Sequence, residues 1–329
     1  MSNLVTIFGG SGFVGRYIAR RMAKEGWRVR VAVRRPNEAL FVRQYGVVGQ
    51  VEPILANVRD DDSVRAAIHG ADAVVNCVGI LAERGKNKFN LVQNHGAARI
   101  ARLAVAEGIT RFVQISAIGA DPNSKSQYAT SKAKGEEAVL AAIPSAVILR
   151  PSIIFGAEDQ FFNRFAAMTR IGPMLPVVGG RTRFQPVYVD DVAKAAVMGV
   201  LGQAKPGIYE LGGPDVENFR ALMQRMLRII RRRKLVFNVP FPVAMLMAGA
   251  LDLVQALTLG LVNNSLLTRD QVRNLRRDNV VGPGRMGFAD LGIEPVAMDP
   301  VLEDYLWPYR PGGQYSAIKE TAKHLRDQA

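Results

Sequence analysis

The stretch Val5-Thr6-Ile7-Phe8-Gly9-Gly10-Ser11-Gly12-Phe13-Val14-Gly15 decides the fold of this chain. An apolar run breaks into glycines with G-x-x-G-x-x-G spacing, and a predicted helix follows over 16–24. Such a turn brings bare backbone N–H groups and a helix N-terminus together, which suits a pyrophosphate. Gly9 permits the tight turn, and Gly12 lets the backbone approach the phosphates. Gly15 allows the helix to pack closely on the strand. The stretch therefore predicts a dinucleotide site.

The next predicted strand, residues 28–33, indicates which dinucleotide binds. Enzymes that prefer NAD usually carry an acidic residue at the end of this strand, where it binds the ribose 2′-hydroxyl. Arg34 and Arg35 stand there instead, and a guanidinium matches a 2′-phosphate. The alternative is that one or both arginines are simply solvated. The pattern favours NADP(H), as NADPH, over NAD(H).

Composition bounds the class of protein. A chain of 329 residues with 48% hydrophobic and 22% charged residues is long enough for one large domain or two packed ones. The single cysteine, Cys77, excludes a disulfide framework, and the three scattered histidines predict no metal site. The first strand begins so early that we expect neither a signal nor a transit peptide. The net charge of +14 fits a membrane surface or an acidic protein better than nucleic acid, since basic residues are not interleaved with stacking aromatics.

Apolar strands alternate with amphipathic segments through the first half, which predicts an α/β fold with a Rossmann-type, doubly wound parallel sheet. We assign residues 1–155 to the dinucleotide-binding domain, with 184–212 returning to it. Residues 156–183 and 213–329 are assigned to a smaller C-terminal subdomain that faces a membrane or a partner. Beyond the first two strands, we predict strands at 51–55, 73–79, 111–116, 146–149 and 187–189, and helices at 62–68, 90–107, 128–142 and 216–234.

Residues 239–262 are apolar except for Asp252 and Gln255. Three alternatives stay open: a core helix, a helix on a membrane or membrane protein, and a bilayer span. A span is disfavoured because a carboxylate near its middle costs about 2.5–3.5 kcal/mol on insertion scales. The arginine-rich segment before it favours the surface alternative, because anionic headgroups attract basic side chains. We therefore expect region 225–262 to contact anionic lipids.

Tyr128 and Lys132 lie four residues apart, on one face of a predicted helix. An ammonium beside a phenol favours the phenolate, so we expect Lys132 to lower the pKa of Tyr128 and to assist proton exchange. Lys132 can also hydrogen-bond a nicotinamide ribose. The Y-x-x-x-K spacing is weak alone, but it is a strong signal after a glycine-rich motif and five strands.

With these motifs, Arg150-Pro151-Ser152 and residues 186–193, the chain resembles the extended or atypical short-chain dehydrogenases/reductases. The resemblance implies a nicotinamide nucleotide held by the glycine loop and by the turns after the third to sixth strands. Besides the glycines, Arg34, Arg35, Tyr128 and Lys132, the resemblance assigns further residues to the cofactor site. These are Phe13, Val14, Asn57, Val58, Cys77, Val78, Gly79, Ser116, Pro151, Ser152 and Ile153.

The chain departs from active members of that family after Ser116. Such enzymes carry a further serine or threonine that holds the substrate carbonyl, whereas Ala117 and Ile118 stand here. Without that donor, hydride transfer loses electrostatic stabilisation. Tyr128 and Lys132 are therefore predicted to be vestigial or to anchor the cofactor.

A narrower resemblance is to the NADPH-binding accessory subunit of respiratory complex I, the NADH:ubiquinone oxidoreductase. It implies a non-catalytic structural or assembly role near the membrane-arm junction, with other complex I subunits as partners. It also implies a peripheral place on the cytoplasmic side of a bacterial inner membrane, or on the matrix side in an organelle. The stretches that carry it are 81–83, 128–136, 150–163 and 306–310.

Two alternatives stay open. One is an active NADP-dependent reductase, or a nucleotide-sugar epimerase or dehydratase, that uses Tyr128 as acid/base and Lys132 beside it. Arg181, Arg183 and Gln185 would then contact the substrate. The other is a regulator that senses the redox state of its nucleotide.

Overall fold

The computed structural model describes residues 2–258 and 267–315. Numbered along the chain, its strands are β1 (Leu4–Phe8), β2 (Arg28–Val33), β3 (Val51–Leu55), β4 (Ala73–Asn76), β5 (Arg111–Ile115), β6 (Val147–Pro151), β7 (Ile154–Phe155), β8 (Met174–Val178), β9 (Arg183–Phe184), β10 (Val187–Tyr188), β11 (Gly207–Leu211), β12 (Glu217–Asn218) and β13 (Leu235–Val239). Its α-helices are α1 (Phe13–Lys24), α2 (Asp61–Ile68), α3 (His95–Ala106), α4 (Gln127–Ala142), α5 (Phe162–Met168), α6 (Val189–Leu201), α7 (Phe219–Ile229), α8 (Phe241–Leu257), α9 (Arg269–Asn274) and α10 (Met298–Leu306). Shorter 3₁₀ turns lie at Pro36–Tyr45, Ala289–Leu291, Trp307–Tyr309 and Gly313–Tyr315, and a π-helical turn at Asn90–Asn94.

Seven strands form a parallel central sheet in the order β11-β6-β5-β4-β1-β2-β3. Its inner strands are continuous apolar runs, as expected where helices cover both faces of a sheet. One face packs against α1 and α6, and the other against α2, α3 and α4. The predicted doubly wound fold is confirmed, with β11 as a seventh strand that the sequence did not indicate.

Two predicted helices differ from the structure. The helix predicted over 90–107 begins as the π-helical turn and becomes α-helical at His95, and such turns recur at functional sites. The helix predicted over 216–234 ends at Ile229, because Arg231 takes a left-handed backbone conformation with φ of 54°. The chain after it forms β13, which pairs with β8.

The C-terminal part of the chain has its own apolar core, built from α5, α7, α10 and the β8–β13 pair. Phe161, Phe184 and Phe219 meet there, with ring centroids between 5.5 and 6.4 Å apart. The division is not complete, because Phe288 and Leu291 pack with α1 and α6 on the central sheet. Those residues lie in the range that the sequence assigned to the C-terminal subdomain.

Helix α8 covers most of the apolar 239–262 stretch, and residues 259–262 lie outside the described part. Ala244 and Ala248 are buried, whereas Leu246 is 80% exposed. The opposite side of the helix presents an apolar stripe to the surface, made of Val243, Leu246, Met247, Ala250 and Leu253. Of the helices in residues 2–258 and 267–315, none is both long and apolar enough to cross a bilayer.

We expect Gly135→Ala to lower the free energy of unfolding by about 1–3 kcal/mol, because an added Cβ would overlap the Gln93 carbonyl where α4 crosses the π-helical turn. Chemical denaturation measures the loss. Gly172→Ala is the matched control, since a Cβ there meets nothing within 4 Å, and we expect a change within about 0.5 kcal/mol. Equal effects of the two substitutions would contradict the tight helix contact.

Candidate nucleotide-binding site

The glycine loop joins β1 to α1 at the carboxyl edge of the sheet. Gly9 has φ of 73° and donates its N–H to the Ala32 carbonyl of β2 at 2.9 Å. A Cβ on Gly15 would overlap the Gly9 carbonyl, so only glycine lets α1 pack this close to the loop. No side chain caps α1 at Gly12, and its first turn, which includes Phe13 and Val14, carries no acidic residue. The uncapped, positive end of the helix fits a pyrophosphate.

Arg34 and Arg35 follow β2, as predicted, and both are exposed. Arg34 donates from Nη1 to the Asn87 side-chain oxygen at 3.2 Å, so it meets the loop that follows β4. Arg35 pairs with Glu38 at 3.0 Å across the surface. The two guanidiniums thus diverge in the structure, and Arg34 is the one that meets the loop after β4.

The turn after β3 adds a cation that sequence analysis missed. Asn57 accepts a hydrogen bond from the Arg59 N–H at 3.2 Å, and Arg59 donates to the Lys86 carbonyl at 3.0 Å. Val58 packs under α3, where a Cβ on Gly96 would lie 3.2 Å from it. The loop after β4 therefore reaches back over the ends of β2 and β3. Arg59 stood beside the predicted pair in sequence, but only the fold brings it to this loop.

The turn after β4 carries Cys77, Val78 and Gly79 beside the buried end of Lys132. Lys132 donates to the Ile115 carbonyl at 3.1 Å, and a Cβ on Gly79 would lie 3.3 Å from its Nζ. Burial lowers the pKa of Lys132 to about 8, although Glu136 opposes the shift. Burial also raises the pKa of the Cys77 thiol to about 12, which describes an unreactive thiol.

The prediction that Lys132 lowers the pKa of Tyr128 is wrong. The pKa of Tyr128 is raised to about 12, first by burial and then by the nearby Asp270 carboxylate. The Lys132 ammonium binds a backbone carbonyl of β5 instead, and the Tyr128 ring packs edge-on against Phe89 with centroids 5.9 Å apart. Tyr128 is therefore a neutral phenol near pH 7.

Ser116, directly after β5, is buried and donates its hydroxyl to Glu136 of α4. Arg150 holds the same carboxylate, with Nη2 to Oε2 at 2.5 Å, and also pairs with Glu210 at 3.6 Å. The Ser116 hydroxyl is thus committed to a buried charge network. It does not replace the donor that is missing at Ala117.

Residues 268–282, which we call the strap, cross the turns after β5 and β6. Ser152 donates its hydroxyl to the Asn279 carbonyl at 2.8 Å, and the Asn279 amide donates to the Ile118 carbonyl at 3.2 Å. Gln185 is held between the Gly213 carbonyl, at 2.8 Å, and a strap N–H, at 3.1 Å. The strap therefore joins the turns after β5 and β6 through its own hydrogen bonds.

The predicted site residues fall into three groups along one sheet edge. The glycine loop and Arg34 with Arg35 lie over β1 and β2, and Asn57 with Val58 over β3. The third group, at the ends of β4 to β6 and on α4, holds Cys77 to Gly79, Ser116, Tyr128, Lys132 and the end of β6. At that end, Pro151 closes the strand, Ser152 binds the strap, and the Ile153 carbonyl accepts the Val187 N–H at 2.9 Å.

The chain belongs to the NAD dependent epimerase/dehydratase family, whose model matches residues 5–212. It is 35% identical over 316 residues to NADH dehydrogenase [ubiquinone] 1 alpha subcomplex subunit 9, mitochondrial, of Arabidopsis thaliana, which covers 94% of this chain and 79% of that one. It is 32% identical over 250 residues to the ceramide reductase of Caulobacter vibrioides, which covers 75% of this chain and 77% of the relative.

Solved structures show the same fold. The dTDP-glucose 4,6-dehydratase of Bacillus anthracis, in complex with NAD, superposes with a TM-score of 0.69 at 15% identity, covering 97% of this chain and 98% of that one. Membership of the family and the fit of the glycine loop support a nicotinamide dinucleotide in this groove. When bound, such a nucleotide supplies hydride chemistry at its nicotinamide.

We expect Lys132→Met to raise the free energy of unfolding at pH 7 by about 1–3 kcal/mol, because it removes a charge from a buried position. The pKa of Lys132 is about 8 in the folded chain against an ordinary value of 10.5, so between these values the unfolded chain binds the extra proton. The stability of the wild type relative to the variant therefore rises with pH across that window.

Urea denaturation at pH 7 and at pH 9.5 measures the difference between wild type and variant. For Lys132→Met we expect this difference to be smaller at pH 9.5 than at pH 7. The exposed Lys134, on the same helix, provides the control Lys134→Met, for which we expect the difference to stay the same at both pH values. A difference that is constant with pH for Lys132→Met would contradict the lowered pKa.

Proposed function

We propose that this chain is a non-catalytic, NADP(H)-binding accessory subunit of respiratory complex I. The similarity to the Arabidopsis thaliana subunit along 94% of the chain supports this proposal. The structural observation that carries it is the strap, in which Asn279 binds Ser152 and Ile118 where a reductase needs space for its substrate. A nucleotide that cannot meet a substrate stabilises the folded chain by mass action and does not turn over.

The chemistry of the remaining groups supports the same proposal. The pKa of the Tyr128 phenol is raised to about 12, so this phenol is a weaker proton donor than an ordinary tyrosine. Ala117 and Ile118 offer no side-chain donor to a carbonyl oxygen, and Ser116 is bonded to Glu136. The nucleotide-binding groups are retained, whereas a donor to a substrate carbonyl is absent at Ala117 and Ile118 and engaged at Ser116.

We propose NADPH as the preferred nucleotide. Arg34, Arg35 and Arg59 stand at the ends of β2 and β3, and no carboxylate ends β2. Guanidiniums match a 2′-phosphate better than a 2′-hydroxyl. The residues we assign to this nucleotide are Gly9, Gly12, Phe13, Val14, Gly15, Arg34, Arg35, Asn57, Val58, Cys77, Val78, Gly79, Ser116, Tyr128, Lys132, Pro151, Ser152 and Ile153.

In this proposal residues 1–155 and 184–212 bind the nucleotide, and 156–183 with 213–329 face the membrane. The exposed stripe of α8 is apolar, and β13 also exposes two apolar side chains, Leu235 and Phe237. A groove of about 1070 Å³ beside β13 is lined by several cations. These are Arg228, Arg231, Arg232, Arg233 and Lys234.

This combination suits the anionic leaflet of a membrane, since basic side chains attract the headgroups and the apolar stripe enters the acyl boundary. We therefore propose peripheral attachment beside the other complex I subunits. The side would be the cytoplasmic face of a bacterial inner membrane, or the matrix face in an organelle.

A second candidate is an active reductase, favoured by the 32% identity to a ceramide reductase. The Tyr128 and Lys132 pair that such an enzyme would use is retained. That similarity covers 75% of this chain, less than the similarity to the complex I subunit. The two functions differ in the size of the native particle.

We expect the tagged chain, extracted from its host's membranes with a mild detergent, to migrate on a native gel with a very large NADH-oxidising assembly.

Replacing Leu246 and Met247 together by glutamate should lower the amount of the chain recovered with membranes about tenfold or more, because each carboxylate would enter the acyl boundary. Immunodetection of membrane and soluble fractions measures the change.

Val47 and Val48 are exposed on the nucleotide-binding half, and their double replacement by glutamate is the matched control. That control should stay with the assembly. A small species free of respiratory subunits would contradict the proposal and favour the reductase, whose substrate search would then begin at Tyr128.

We expect the double variant Arg34→Ala, Arg35→Ala to bind NADPH about tenfold or more weakly, because charge-assisted hydrogen bonds to the 2′-phosphate are lost. Binding of NADH should change little. Nucleotide fluorescence titration measures both. Arg43→Ala removes another exposed arginine, which pairs with Glu52, and should affect the binding of neither nucleotide. Equal losses for NADPH and NADH would contradict the assignment of the 2′-phosphate.

A further inference from the structure

Helix α9 lies between the apolar helix α8 and the cofactor helix α4. On one side Val272 of α9 is fully buried against Ala244 and Ala248 of α8. The Arg269 N–H also donates to the Asp252 carboxylate of α8 at 3.3 Å. The inner face of α8 is thus fixed to the same short helix whose other side meets the nucleotide site.

Asp270 makes the contact on that other side. Its carboxylate accepts three hydrogen bonds from the start of α4: from the Ser126 hydroxyl at 2.8 Å, the Gln127 N–H at 2.8 Å and the Tyr128 N–H at 3.2 Å. The first N–H groups of a helix lack partners within it, and its N-terminus attracts negative charge. Asp270 therefore fixes the end of α4 that carries Tyr128, although it lies more than 140 residues away in sequence.

Each helix also has a cap residue of its own. Thr268 and Gln271 form a complete capping box at the start of α9, and Ser126 already accepts the Ala129 N–H of α4 at 3.3 Å. The Asp270 carboxylate therefore joins α9 to the N-terminus of α4. Gln271 extends the join, since its amide donates to the Leu81 carbonyl of the loop after β4 at 3.5 Å.

From this arrangement we infer that Asp270 is a positioning residue that couples nucleotide binding at α4 to membrane docking of α8. The inference rests on the proposed function, because it uses both the nucleotide site and the lipid-facing stripe. Seating α8 on a membrane fixes α9 through Val272, and Asp270 then holds Tyr128 where it lines the nicotinamide side. By linkage, a nucleotide that orders α4 favours the docked position of α8 to the same degree.

The test titrates NADPH into the full chain with and without vesicles of phosphatidylcholine containing phosphatidylglycerol. We expect the vesicles to tighten NADPH binding of the wild type about fivefold or more. Asp270→Ala should bind NADPH more weakly and lose the effect of the vesicles. Asp270→Asn keeps one acceptor oxygen and should fall between them.

Asp278→Ala is the matched control, because it removes a strap carboxylate that pairs with Arg183 at 2.8 Å on the surface. We expect this variant to keep the effect of the vesicles on NADPH binding.

Amide hydrogen exchange of the wild type alone provides a second, independent test. Saturating NADPH should slow amide hydrogen exchange in α9 and on α8, and unchanged exchange in both helices would count against the coupling.

The outcomes separate the inference from the function it rests on. If the wild type binds both NADPH and vesicles but each leaves the other's affinity unchanged, the coupling is wrong and the proposed function stands. If vesicles act equally on wild type and Asp270→Ala, the coupling does not run through Asp270. If no nucleotide binds at all, the proposed function fails and the inference fails with it.

Discussion

The parallel pairing of the seven central strands is the constraint on which every other feature of this protein depends. Because all seven strands run in one direction, the turns after β1 to β6 meet at a single edge of the sheet. The strand order reverses between β1 and β4, and the glycine loop opens at that point. Gly15 brings α1 down onto this loop, so the free N–H groups of the helix face the groove.

Buried charged groups determine the electrostatics of the site around Tyr128 and Lys132. The Glu136 carboxylate accepts a hydrogen bond from the Ser116 hydroxyl and pairs with the Arg150 guanidinium. Its charge also partly offsets the lowering of the Lys132 pKa by burial. Removing Ser116 or Arg150 is costly, because the buried Glu136 carboxylate then loses a hydrogen-bond partner. This network joins the middle of α4 to the ends of β5 and β6, and it also engages the Ser116 hydroxyl. The same contacts that stabilise the site therefore limit its chemistry.

The strap ties the two halves of the molecule together over this network. Asn279 and Gln185 close the space between the turns, and Asp270 caps the helix that carries Tyr128. The apolar stripe of α8 is one helix away from that cap. In the proposed function, the strap is the segment that connects the nucleotide site to the apolar stripe of α8.

The sequence by itself determined the α/β class, the glycine loop and most strand positions, because short apolar runs and the apolar periodicity of helices are local patterns. It also indicated the Tyr128 and Lys132 pair and the arginines after β2. Only the tertiary structure decided their electrostatics. Lys132 turns to the Ile115 carbonyl rather than to the phenol, and Asp270 reaches Tyr128. Contacts between residues distant in sequence set these pKa values, so no local pattern could contain them.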